Sequence, residues 1–305
     1  MFAPPERGRP VIADGSARLY SLPEAYAHCQ RVATRRYENF TVASWLLPRA
    51  LRRHMYAVYA YCRGVDDLGD EAEGDRLTLL DDWEAELRRC YDGGPRLPTF
   101  VALQETIRRF DLPQEPFLRL IEANRMDQRI NRYRTFDDLL GYCENSANPV
   151  GHIVLCLFGY RDEERRKLSD ATCTALQLTN FWQDVRRDLG KDRIYIPLEE
   201  MERFHYSEED LLAARFDGRL RDLMAFQVRR TRELFRSGLE LIPRVRGRLR
   251  LDLRLFSLGG LAVLDVIEDN GYDVLNRRPK LSRARKSLLA LRGLLPLPIR
   301  VREAK

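Results

Sequence analysis

From Ser21 to Leu291, apolar residues return at three- and four-residue spacing in one segment after another, and nowhere does apolar–polar alternation persist. Nothing else in the chain constrains the fold as much. Side chains share a face about every 3.6 residues in a helix and every second residue in a strand, so the pattern predicts an all-α protein. Helices are expected over 21–37, 49–71, 75–91, 100–110, 115–133, 136–160, 162–189, 207–214, 219–241, 253–268 and 281–291, with a loop over 190–206. Ser21 offers an N-cap oxygen, Pro23 sits in the first turn and Glu24 stands at the capping-box position. Pro149 falls inside 136–160 and is expected to kink that helix. With neither an internal repeat nor a low-complexity linker, one domain is the economical reading: a flexible leader over 1–20, a helical domain over 21–293 and a basic tail over 294–305.

Composition excludes several classes. No run of eighteen uncharged apolar residues exists, so no bilayer span is expected, and the N-terminal stretch lacks the apolar core of a signal peptide. Six cysteines without a C-x-x-C pattern read as reduced, buried thiols and point to the cytoplasm. The histidines at 28, 54, 152 and 205 lack the spacing of a zinc site. The net charge of +6 hides an asymmetry: residues 276–305 hold ten Lys and Arg against Glu303 alone, a net +9, so the other 275 residues carry −3. A basic end on a mildly acidic body suits an anionic membrane surface, here the inner face of the cell membrane. No nucleic-acid reading motif accompanies it.

Two stretches carry chemistry. Arg49 to Glu71 is apolar and aromatic through Met55, Tyr56, Val58, Tyr59, Tyr61 and Val65, then ends in Asp66, Asp67 and Asp70. Asp66 and Asp70 are one helical turn apart, where like charges repel, and folding alone does not ask for them. A hard divalent ion such as Mg²⁺ between them would, and it would leave coordination positions for substrate phosphates. The second stretch repeats the device, with Asp184 and Asp188 four apart and Asn180 one turn earlier. The same spacing occurs at Asp188/Asp192, Asp265/Asp269 and Asp269/Asp273, so the spacing is informative only where apolar helical text precedes it. An apolar wall ending in a metal-binding rim suits a ligand with a greasy body and a diphosphate head.

These residues resemble the head-to-head prenyl synthases, the family of squalene and phytoene synthases. The carriers are ENFTVASWLLP (38–48), YAYCRGVDDLGD (59–70), YCENSANPVG (142–151) and LQLTNFWQDVRRDLGKDRIYIP (176–197). The resemblance implies an all-α, single-domain isoprenoid-synthase-type helical bundle around a central apolar cavity, with Mg²⁺ and diphosphate bound at two acidic rims. It implies metal-binding roles for Asp66, Asp67, Asp70, Asn180, Asp184 and Asp188, and a catalytic role for Arg63 beside the four rim aspartates Asp66, Asp70, Asp184 and Asp188. Gln177 and Asn180 would assist the diphosphate, and Phe40, Tyr56 and Tyr59 would line the apolar wall. Departures from the family pattern are Gln183 in place of an arginine before Asp184, the Asn145–Pro149 text in place of an aromatic-Val-Ala-Gly stretch, and Gly259-Gly260 in place of a late tyrosine.

The ENF, SANPVG and NFWQD spellings are similar to the bacterial hydroxysqualene synthase branch, associated with hopanoid pathways. That likeness implies a lyase that ionises presqualene diphosphate, supplied by another pathway enzyme, and lets water finish the reaction. Asn145, Asn148 and Glu144, polar residues beside Pro149, are the candidates for holding that water; the alternative is that the asparagines only satisfy backbone groups freed at the kink. No strand–G-x-G-x-x-G element is present, and NADPH is not expected. Two alternatives stay open on the residues alone: a presqualene diphosphate or phytoene synthase condensing two prenyl diphosphates, and a non-catalytic prenyl diphosphate or membrane binder.

Overall fold

The computed structural model describes residues 20–35, 49–295 and 297–303. The expectations for the leader, for the 38–48 motif and for Phe40 lie outside the described residues. Helices dominate the rest, and among the described residues there is no strand, only one isolated bridge between Arg132 and Ile194. The chain divides at Gln114/Glu115 into two compact units.

The first unit holds α1 (Leu22–Arg35), α2 (Arg49–Asp70), α3 (Arg76–Asp92) and α4 (Pro98–Phe110). Glu24 caps α1 as expected, accepting from the Ser21 backbone N–H at 2.9 Å and from its hydroxyl at 2.8 Å. Small residues let α1, α2 and α4 approach: Ala25, Cys29 and Ala33 pack against Ala57, Ala60 and Ala102. An aromatic cluster of Tyr61, Trp83 and Phe100 fills the other side of α2, with Trp83 and Phe100 edge to face at 4.5 Å. His54 is buried, and its Nδ1 is 3.0 Å from the Thr106 hydroxyl, so it serves packing.

The second unit is built on α8 (Glu163–Leu189), capped by Asp162. Around it stand α5 (Glu115–Met126), α6 (Phe136–Ser146), α7 (Asn148–Leu157), α11 (Gly218–Leu239) and α12 (Gly247–Asp269). Short helices α9 (Leu198–Arg203) and α10 (Glu208–Leu212) follow α8, and α13 (Arg283–Leu294) closes the order. Glycines set how closely the helices approach. A Cβ at Gly238 would lie 2.3 Å from the Thr172 Oγ1, and one at Gly260 would lie 2.5 Å from Phe235. A late-helix tyrosine would have no room at Gly260. Trp182 is fully buried, and its indole donates to the Thr231 hydroxyl at 2.9 Å, fixing α8 against α11.

Several sequence expectations need correction. Residues 136–160 form two helices, not one kinked helix: α6 ends at Ser146, Ala147 stands between the two with φ stretched to −117°, and Pro149 lies in the first turn of α7, where its missing N–H costs nothing. The 115–133 helix stops at Met126, because 131–134 leaves the helix to bond the chain beyond α8. The 190–206 loop contains α9, and α12 starts at Gly247, six residues before the expected 253.

Candidate active site

On α2, Tyr59, Arg63, Asp66 and Asp70 follow at steps of four, three and four, which places them on one helix face. Asp66 and Asp70 are exposed, and Asp67 is half-buried. Arg63 donates to Asp67 and, at 2.9 Å, to Glu71. Partial burial opposes the Arg63 charge, yet Asp67, backed by Glu71 and Asp66, outweighs it and raises the guanidinium above its ordinary range. The acids stand at the carbonyl end of α2, whose last turn has no basic residue. A helix C-terminus carries a partial negative charge, so the fold adds to the repulsion among them.

The device recurs on α8. Asn180, Asp184 and Asp188 follow at successive steps of four, with Gln177 one turn before Asn180. Asn180 is exposed, Gln177 and Asp188 are half-buried, and Asp184 is only 5% exposed. Arg278 donates to both oxygens of Asp184, the second at 3.1 Å, and the Gln183 amide donates to the Pro279 carbonyl at 2.6 Å. These bonds clip the 276–280 segment to the rim. Burial, followed by the charge of Asp184, pushes Asp188 up to about 7, although Lys191, Arg187 and Arg193 pull the other way. Asp188 borders a small recess beside Phe181 and Tyr195, whose rings stack at 3.8 Å. Arg132 braces the turn behind it, donating to the Asp192 carbonyl at 2.6 Å and to its side chain at 2.7 Å.

The remaining pairs of the same spacing are engaged by other means. Asp192 binds Arg132, Asp265 accepts from the buried Arg232 at 2.8 Å, Asp269 accepts from Arg302 at 2.7 Å, and Asp273 caps the turn at Asn276. Tyr56 is buried in the α1–α2–α4 core, and Tyr59 packs half-buried at its edge. Asn145 donates to the Gly141 carbonyl at 2.9 Å in its own helix, and Asn148 accepts from the Thr174 hydroxyl of α8 at 3.0 Å. Sequence reasoning missed Arg278. It lay inside what read as a basic run, and the one signal for it was Gln183 standing where an arginine was expected.

The donors suit a hard divalent cation: they are oxygens, and they crowd at the negative ends of two helices. Among the described residues, no three His, Cys, Asp or Glu side chains converge on one point by themselves. Each rim would therefore complete its coordination with water and ligand oxygens, as Mg²⁺ sites bound to phosphates commonly do.

Residues 33–285 match the family model described as squalene/phytoene synthase. The 15-cis-phytoene synthase of Synechococcus elongatus is 36% identical over 290 residues, covering 90% of this chain and 94% of that protein. The phytoene synthase of Arthrospira platensis is 34% identical, with coverage of 84% and 87%. A crystal structure of the squalene synthase HpnC from Alicyclobacillus acidocaldarius superposes with a TM-score of 0.80 at 50% identity, covering 82% of this chain and 95% of that one. A dehydrosqualene synthase bound to a ligand superposes at 0.82 with 26% identity, covering 89% and 96%.

Proposed function

The chain belongs to the squalene/phytoene synthase family, and we propose that within it the protein is a hydroxysqualene synthase, acting as a single prenyl synthase domain on presqualene diphosphate. The observation that favours the squalene side of the family is the 50% identity to a squalene synthase over 82% of this chain, against 36% to a phytoene synthase over 90%. The choice of water capture within that side rests on the spellings of residues 146–151 and 180–184.

In this reading the carbon–oxygen bond of the substrate breaks with its electron pair leaving on diphosphate. The cyclopropylcarbinyl cation rearranges, and water adds to it with loss of a proton. Asp66, Asp67 and Asp70 in the first rim and Asn180, Asp184 and Asp188 in the second would hold Mg²⁺, which when bound would supply Lewis-acid neutralisation of the leaving diphosphate. Arg63 and Arg278 each set a guanidinium among the acids, a group suited to bidentate contact with phosphate oxygens. Gln177 and Asn180 orient the head group. Phe40, Tyr56 and Tyr59 exclude water from the forming cation. Asn145 and Asn148, fixed by their bonds to Gly141 and Thr174, set where the capturing water sits. The protein works in the cytoplasm, with no NADPH and with an upstream enzyme supplying the substrate.

The phytoene synthase names of the 34–36% identical relatives favour a second reading, condensation of two geranylgeranyl diphosphates. Incubating the purified protein with presqualene, farnesyl and geranylgeranyl diphosphate separately, each with Mg²⁺, tests both. Turnover of presqualene diphosphate to an alcohol supports the proposal. Phytoene from geranylgeranyl diphosphate replaces it with the second reading.

A further inference from the structure

We infer that the outer face of α13, with the segment that follows it, docks the protein on an anionic lipid surface. Along α13, Leu288, Leu291 and Leu294 stand at three-residue steps and are 64%, 63% and 59% exposed. Leu295 and Leu297 continue the patch at 50% each. No other segment among the described residues gathers so many large exposed apolar side chains. A contiguous patch of this kind, rimmed by polar groups, marks an interaction site.

The helix is not loosely placed. Its inward face runs Arg285, Leu289 and Gly293 at steps of four, and a Cβ at Gly293 would lie 2.4 Å from Leu255 of α12. Arg254 of α12 donates to the carbonyls of Gly293, Leu295 and Leu297 at 3.2, 2.6 and 2.7 Å. Arg285 is 3.7 Å from Asp265 and 3.8 Å from Asp269. Beyond the helix, Ile299 and Val301 pack against the core and Arg302 binds Asp269. Ion pairs, backbone bonds and a glycine contact anchor the element, so its leucines are presented outward rather than left over from a core.

Charge selects the occupant. α13 contains no acid, and helical spacing puts Arg292 along one edge of the leucine stripe and Arg283 along the other, with the exposed Lys286 beyond. A two-fold contact with a second copy would press these bases against their own counterparts. An anionic bilayer takes the leucines into its interfacial zone and pairs the bases with head groups. The inference stands independently of the reaction proposed above.

Flotation of the full chain tests it, with vesicles of phosphatidylcholine alone and of phosphatidylcholine plus phosphatidylglycerol. The protein should float with the anionic vesicles and stay behind with the neutral ones. A Leu288→Ser/Leu291→Ser/Leu294→Ser variant, whose positions are exposed and whose fold is checked by circular dichroism, should lose about tenfold or more of the binding. An Arg283→Gln/Lys286→Gln/Arg292→Gln variant should lose roughly fivefold per base at low salt. Equal flotation of the leucine variant, or binding indifferent to phosphatidylglycerol, overturns the inference. A dimer in sedimentation equilibrium that the leucine substitutions dissolve would also overturn it, giving the face to a second copy.

Discussion

At the end of α2 the paired carboxylates face solvent: Asp66 and Asp70 are exposed, and Arg63 binds their neighbours Asp67 and Glu71. At the end of α8 the same spacing is folded into the protein. Asp184 is buried against Arg278, Asp188 is half-buried beside stacked aromatics, and the turn behind them is braced by Arg132. Identical spacing thus serves two designs. In the first, acid side chains can change at little structural cost. In the second, the acids are also part of what holds the 276–280 segment and the end of α8 together.

The largest expected effect treats the rims alike. Asp70→Asn in the first rim or Asp184→Asn in the second should lower kcat on the order of 10²-fold or more, the scale on which lost electrostatic partners of a transition state are felt. Steady-state kinetics with saturating Mg²⁺ measure it. The difference between the rims then shows in thermal melts: the Tm of the Asp70 variant should match the parent, and that of the Asp184 variant should fall. Equal melting would erase the distinction.

Next comes Arg278→Gln, which strands a buried carboxylate. Because the arginine is itself partly exposed, the cost should be roughly 1–2 kcal/mol by denaturant unfolding. The matching change in the first rim, Arg63→Gln, breaks a half-buried pair whose acid, unlike Asp184, still reaches water, and should cost about 1 kcal/mol or less. A larger loss at Arg63 than at Arg278 would invert the comparison.

Much of this fold was legible. The ends of α2 matched to within a residue, because the aromatic periodicity stops where the acids begin, and α8 ran as expected between the Asp162 cap and Gly190. The break at Ala147 was misjudged, since a proline inside a helical pattern reads the same whether it kinks one helix or opens the next. Metal-type spacing was visible at both rims, but the burial of Asp184 was not. Nor was its partner, which arrives from Arg278, 94 positions along the chain. Which arginine finds a buried acid depends on how helices approach, and that is set by contacts such as Gly238 on Thr172 rather than by local pattern.

A smaller effect concerns pH and belongs to the second rim alone. Asp188 ionises in the folded protein only near pH 7, against an ordinary value near 4. Between those values the unfolded chain gives up a proton that the folded chain keeps, so the group's contribution to stability declines as pH rises and is most unfavourable above 7. Asp188→Asn should therefore raise Tm by about 2–4 °C at pH 8 and leave it nearly unchanged at pH 3. The same shift should weaken divalent-cation binding at the second rim between pH 8 and pH 6, as calorimetry would show.

Turnover of presqualene diphosphate in ¹⁸O-labelled water, with Mg²⁺ and without NADPH, reads the proposed chemistry most directly. The account predicts an alcohol, hydroxysqualene, carrying the heavy oxygen, with one diphosphate released for each product. A hydrocarbon product, or an alcohol whose oxygen is unlabelled, would contradict it.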